Sequence, residues 1–160
     1  MSEPHVQTVV GELGVLALDH TAIAVRSIAS ALPLYRDLLG GQPNGFERLN
    51  ERGFMWLTLN YPNGGQVELL EPVGSGGFLR TFLERYGEGP HHMTFIVRDL
   101  RVAVERAKNA GLRVVDEDYR DALWQEAFIS PRSGFGTIIQ LTQTSLSPAE
   151  REAHWSVADL

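Results

Sequence analysis

The sequence predicts an α+β domain of two tandem βαβββ modules, eight strands in all. Three observations carry this. Two apolar runs, Leu18–Arg26 and Pro90–Arg98, each with a histidine near the start and an arginine at the end, stand 72 positions apart. Behind each, apolar residues recur at helical spacing. After each helix come three short strand-like runs set off by turn residues. The size and composition fit one domain over 1–160: 43% apolar and 21% charged residues are ordinary for a compact globular chain.

Module one covers about 15–73. Its first strand is the run Leu18-Asp19-His20-Thr21-Ala22-Ile23-Ala24-Val25-Arg26. Ser27 stands where an N-cap belongs, Ile28, Ala31, Leu32, Tyr35, Leu38 and Leu39 form one helical stripe, and Gly40-Gly41 end it. Three strands follow, Phe46–Asn50, Phe54–Leu59 and Val67–Leu70, with a turn at Asn63-Gly64-Gly65. Gly74-Ser75-Gly76-Gly77 joins the modules, and Phe78–Tyr86 reads as a short helix.

Module two, about 88–143, repeats the pattern. Pro90-His91-His92-Met93-Thr94-Phe95-Ile96-Val97-Arg98 is its first strand, Asp99 its N-cap, and Leu100, Ala103, Val104, Ala107 and Ala110 its helical stripe, stopped at Gly111. Strands at Leu112–Val115, Glu126–Ile129 and Thr137–Thr142 follow, with a turn at Ser133-Gly134-Phe135-Gly136. The tail, 144–160, holds one more helix from Pro148, expected to serve packing or a dimer contact rather than chemistry.

Several functions are excluded by composition. The chain has no cysteine, hence no disulfide, thiolate ligand or cysteine nucleophile, which suits a cytoplasmic protein. Its formal charge is −6 with no basic block, which argues against nucleic acid as partner. No apolar run nears the roughly 20 residues of a membrane helix, and Met1–His5 lacks the basic and apolar regions of a secretory signal.

Alternate strand residues share a face, so His20 sits with Ala22 and Ala24, His92 with Thr94 and Ile96, Glu68 with Leu70, and Gln140 with Ile138 and Thr142. Four polar side chains thus fall at symmetric places in apolar strands, in one 72-residue register. A buried carboxylate without a partner costs several kcal/mol. A divalent metal supplies that partner, and two imidazoles, a carboxylate and an amide oxygen make a reasonable mixed site with room for substrate. Cobalt, manganese, nickel, zinc and magnesium all suit it. Taken alone, either histidine reads as a hydrogen-bonded core residue. The doublet His91-His92 does not say which residue ligates; the register selects His92 and pairs His91 with Asp19.

These residues resemble the vicinal oxygen chelate (glyoxalase/bleomycin resistance/dioxygenase) superfamily, and within it the methylmalonyl-CoA epimerases. The resemblance spans roughly 17–143 and rests on Leu18–Val25, Leu34-Tyr35-Arg36-Asp37-Leu38-Leu39-Gly40, Val67-Glu68-Leu69-Leu70-Glu71-Pro72, Gly89–Val97 and the closing stretch Ser130–Leu141. It implies a cupped, mostly antiparallel, barrel-like eight-stranded sheet around one metal held by His20, Glu68, His92 and Gln140. It also implies a homodimer and a small substrate with a carbonyl, an acyl-CoA among the candidates.

The resemblance carries the proton-transfer glutamate onto Glu51 of Glu51-Arg52-Gly53; from spacing alone Glu51 is a solvated loop residue. The family's second acid/base position falls on Gln140, and an amide cannot shuttle protons at neutral pH. His91, a bound water or another residue would have to return the proton. Arg80, Arg85, Arg98, Arg101 and Arg132 are the cations offered to CoA phosphates. The expected function is therefore a metal-dependent epimerase working by proton abstraction beside a carbonyl. Beside it stand an epimerase of a small sugar-derived ketone or polyol, a glyoxalase I-like lyase and a non-catalytic sequestering protein. A ring-opening dioxygenase is disfavoured.

Overall fold

The computed structural model describes residues 11–157; Met1–His5 and the end of the tail lie outside them. Eight strands form a single sheet in the order β2-β3-β4-β1-β5-β8-β7-β6. Module one supplies β1 (Val15–Ala24), β2 (Gln42–Leu49), β3 (Phe54–Asn60) and β4 (Gln66–Pro72). Module two supplies β5 (Gly89–Val97), β6 (Val114–Asp118), β7 (Gln125–Ile129) and β8 (Ile138–Gln143). The pairs β1·β4 and β5·β8 are parallel and the rest antiparallel. The modules meet where β1 runs antiparallel to β5 at the sheet's centre.

The 72-residue repeat is a structural one. Ala22 stands opposite Glu68 in β1·β4, and Thr94 opposite Gln140 in β5·β8. The helix starts repeat too: the Ile28 N–H donates to Glu71 Oε2 at 2.7 Å, and the Leu100 N–H to Gln143 Oε1 at 2.8 Å. Each closing strand thus takes up one of the orphan donors of the helix packed on it. The predicted caps hold, with Ser27 accepting from Ser30 and Asp99 from Val102.

Helices α1 (Ile28–Leu32) and α3 (Leu100–Asn109) cover the outer face. Ile28 packs on Leu57, Leu59 and Leu69; Leu100, Ala103, Val104 and Ala107 pack on Ala127, Ile129 and Leu141. α2 (Phe78–Tyr86) instead plugs one end of the inner face, with Leu79 and Leu83 buried against Ala22, Ala24, Phe54 and Leu70.

Three elements depart from expectation. The first helix widens into π turns over Pro33–Leu38, beginning at the proline, which has no N–H to give a regular bond. The wider turns rotate Leu38 and Leu39 out of the expected stripe, leaving them 81% and 54% exposed. β6 begins at Val114 rather than Leu112, because the Leu112 N–H closes α3 on Ala107 O at 3.0 Å. β2 begins four residues earlier than expected, at Gln42, and Asn50–Arg52 is a turn of 3₁₀ helix, not strand. In the turn before β8, a Cβ on Gly134 would lie 2.1 Å from Thr137 O, so only glycine fits there.

Candidate active site

The inner face of the four central strands carries the predicted residues. Glu68, Ala22 and His92 stand in one row across β4, β1 and β5; His20, Thr94 and Gln140 stand in the next across β1, β5 and β8. His20, His92 and Gln140 are buried and Glu68 nearly so. Glu68 Oε2 lies 3.6 Å from His20 Nε2, and Glu68 Oε1 lies 3.9 Å from His92 Nε2. One donor atom from each of these three residues falls within 4.8 Å of the others. These gaps exceed hydrogen-bond length, and His92 Nε2 is buried with no hydrogen-bond partner. Two facing imidazole nitrogens and a carboxylate, too far apart to satisfy one another, fit a divalent cation between them.

Each histidine is steered from its other nitrogen. His20 Nδ1 lies 2.8 Å from Asp19 Oδ2, and His92 Nδ1 lies 2.9 Å from His91 Nδ1. Asp19 and His91 occupy the same place in the repeat. In each module the residue before the ligand accepts the Nδ1–H and leaves Nε2 facing inward, the arrangement that orients metal-binding imidazoles. This assigns His91 a structural part: it is buried against Phe78 and Phe82, and burial pushes its pKa down to about 4. It is neutral at pH 7.

The charges follow the same geometry. Burial would lower the pKa of His20, but the Glu68 charge and the Asp19 hydrogen bond outweigh it and raise it. Burial raises that of Glu68, partly offset by His20. Burial would also raise that of Asp19, but its bonds to His20 and Arg151 hold it below the usual range. His92 is held well below its ordinary value by burial and by the neighbouring histidines. The Thr94 hydroxyl donates to Gln140 Oε1 and lies 2.9 Å from His20 Nε2, joining two of the candidate ligands.

The residues enclose a cavity of about 310 Å³. Glu51 is exposed on the 3₁₀ turn and is not among the cavity's lining residues, although Leu49 and Arg52 on either side are. Glu47, on β2, does line it. None of the five arginines expected for phosphates reaches the cavity. Arg80 donates to Gly74 O, and Arg101 lies over the Tyr119 ring at 4.0 Å. The arginines that line it are Arg52 and Arg151, paired with Glu126 and Asp19 at 2.9 and 2.7 Å.

Two features escaped sequence reading. Glu126, the first residue of the strand expected at Glu126–Ile129, is buried beside Gln140; its place on the Gln140 face of β7 is the signal that marks it. The tail, expected to carry no chemistry, roofs the cavity: α4 (Pro148–His154) brings Arg151 to Asp19, and Trp155 stacks edge-on against Trp56 and Trp124. All three tryptophans of the chain line the cavity.

The profile of the "Glyoxalase/Bleomycin resistance protein/Dioxygenase superfamily" matches residues 19–128, and the chain belongs to this superfamily. Within it, the chain is 32% identical over 130 residues to an ethylmalonyl-CoA/methylmalonyl-CoA epimerase of Cereibacter sphaeroides, covering 79% of this chain and 96% of that protein. The crystal structure of methylmalonyl-CoA epimerase from Mycobacterium tuberculosis superposes with a TM-score of 0.78 at 28% identity, over 91% of this chain and 99% of that one. A methylmalonyl-CoA epimerase in complex with methylmalonyl-CoA and NH4+ superposes with a TM-score of 0.71 at 25% identity, over 82% and 96%. The chain is an enzyme of this epimerase type, rather than a lyase or a sequestering binder. No helix among the described residues is long and apolar enough to cross a membrane.

Proposed function

We propose that this chain is a divalent-metal-dependent epimerase that inverts a carbon next to the thioester carbonyl of an acyl-CoA. The convergence of His20, Glu68 and His92, with His92 Nε2 buried and unpartnered, is the observation that carries it. Those three residues and Gln140 would hold the metal, which when bound acts as a Lewis acid on a substrate carbonyl oxygen. Asp19 and His91 keep both imidazoles turned inward. The apolar and aromatic walls, Leu70, Phe128 and the tryptophans, exclude water, and so strengthen every electrostatic interaction within. A carboxylate of the β2–β3 hairpin takes the proton from the carbon, Glu51 from the family likeness with Glu47 as the rival because it lines the cavity, and water returns a proton to the opposite face, since the Gln140 amide cannot.

A second reading has one observation in its favour. Both lining arginines are already paired, so a small uncharged ketone or polyol fits the cavity with no call on free cations. We further propose a cytoplasmic homodimer, with the exposed Leu34, Leu38 and Leu39 as its apolar contact.

The test is deuterium exchange. Protein stripped by chelator and reloaded in turn with cobalt, manganese, nickel, zinc and magnesium is incubated with methylmalonyl-CoA, and separately with small ketoses, in D2O. The α-proton signal is expected to vanish with the CoA ester and only after reloading. Exchange of the ketoses alone selects the second reading, and exchange of neither removes the epimerase proposal. Glu51→Gln should slow exchange by on the order of 10²-fold or more. If Glu47→Gln does so instead, the base is Glu47.

A further inference from the structure

Gln140 poses a problem that a glutamate ligand would not. A carboxylate presents an oxygen whichever way its end is turned; an amide presents either an oxygen, which binds a cation, or an NH2, which repels it. Something must fix the turn. Thr94 does not suffice, because a hydroxyl both donates and accepts and would bond either end of the amide.

Glu126 has no such freedom. It is buried at 6% exposure on β7, on the face shared with Gln140 and Thr142. Gln140 Nε2 lies 2.7 Å from Glu126 Oε2. The carboxylate is itself pinned, with Arg52 Nη2 at 2.9 Å from Oε1 and Trp124 Nε1 at 3.3 Å from Oε2. An ionised carboxylate only accepts, so the amide must offer it the NH2 and turn Oε1 inward, where Thr94 meets it.

We propose that Glu126 is a positioning residue, an obligate acceptor that holds the Gln140 amide with its oxygen facing the metal site, and that Arg52 and Trp124 hold Glu126 in turn. This inference rests on Gln140 being a ligand. It gives Gln140 an orienting partner as Asp19 does for His20 and His91 for His92, supplied from a neighbouring strand instead of the preceding residue.

The experiment compares three variants by cobalt(II) binding to the metal-free protein, followed by calorimetry and visible absorption. Glu126→Leu removes the acceptor at similar volume and should weaken cobalt binding about 10- to 100-fold, the usual effect of losing a ligand's orienting partner. Glu126→Gln, whose amide can offer Gln140 an NH2 as well as an oxygen, is no longer an obligate acceptor and should also weaken cobalt binding, by no more than Glu126→Leu. Glu126→Leu combined with Gln140→Glu should recover most of the loss, since a carboxylate ligand has no wrong way round. In the metal-free parent the Gln140 side-chain NH2 should give one slowly exchanging pair of NMR signals, broadened or averaged in Glu126→Leu.

Cobalt binding by Glu126→Leu at parental strength overturns the proposal. So does parental cobalt binding by Glu126→Gln, which would mean that no obligate acceptor is needed. A double variant no better than Glu126→Leu would reduce Glu126 to structure alone. A parent that shows the ordered NH2 pair yet binds none of the five divalent ions overturns the metal reading and, with it, this role.

Discussion

Glu68→Gln separates the two lives of the buried carboxylate. In the metal-free protein its neighbours are at 3.6 and 3.9 Å, beyond hydrogen-bond reach, so Glu68 draws only on a Coulombic attraction to His20. At an effective dielectric near 20 two full charges at that distance attract by about 4–5 kcal/mol, an upper bound reached only while His20 is protonated, and the desolvation of the buried ion, several kcal/mol, opposes it. Replacing the acid by its isosteric amide should therefore leave the metal-free melting temperature within about 3 °C of the parent. The metal-loaded protein behaves differently. With metal at about 100 times Kd the parent gains about 2.7 kcal/mol, or roughly 5–10 °C for a chain of this size. If the lost carboxylate weakens binding about 100-fold, the same concentration only equals the variant's Kd and yields about 0.4 kcal/mol, roughly 1 °C. Thermal melts of parent and variant, each in chelator and in each divalent ion, read this directly. A parent that melts alike with and without every ion, or a variant that gains as much as the parent, refutes the reasoning.

Two further outcomes follow from the residues behind the histidines. Asp19→Asn keeps the size but weakens the acceptor of the His20 Nδ1–H and the partner of Arg151; metal affinity should fall about 10-fold or more, and calorimetry showing parental affinity would remove the orienting role. His91 is pushed down to about 4 in the fold, against about 6.5 in an unfolded chain. As pH falls through that window the unfolded state binds a proton that the folded state refuses, so stability is intact above about 6.5 and drops by about 3 kcal/mol on reaching about 4. His91→Asn, which retains an acceptor for His92, should flatten that fall in denaturant unfolding of metal-free protein at pH 7, 6 and 5, and parallel curves for parent and variant would contradict it.

Legibility in the sequence tracked periodicity. The two strands bearing His20 and His92, the caps Ser27 and Asp99, and the register linking Glu68 to Gln140 could be read because period-2 and period-3.6 patterns repeat at one offset. The misjudged edges lie where backbone hydrogen bonds, not side-chain patterns, decide. Pro33 widens α1, and Leu112 closes α3 when an apolar run suggested strand. The cavity's other residues were illegible for a different reason. Arg52 meets Glu126 and Arg151 meets Asp19 across separations of 74 and 132 positions, and no local pattern reports such a contact.

The same register explains how an inexact repeat yields a working asymmetry. Module one carries Glu68 and Glu71 where module two carries Gln140 and Gln143. At the helix starts the exchange changes little, since a carboxylate and an amide oxygen both accept the N–H, at 2.7 and 2.8 Å. At the centre it matters more, because of the pair Glu68 and Gln140 only Glu68 brings a charge to the imidazoles. A second acid at 140 would put two carboxylates on one cation, the second with an oxygen where Gln140 Nε2 now lies 2.7 Å from Glu126, and repelled by it. With an amide there, module two's negative charge instead sits one side chain further out, on Glu126, neutralised by Arg52. The consequence is a set of four candidate ligands with a single carboxylate among them, which leaves the hairpin bearing Glu47 and Glu51, rather than a ligand of module two, as the proposed source of proton transfer.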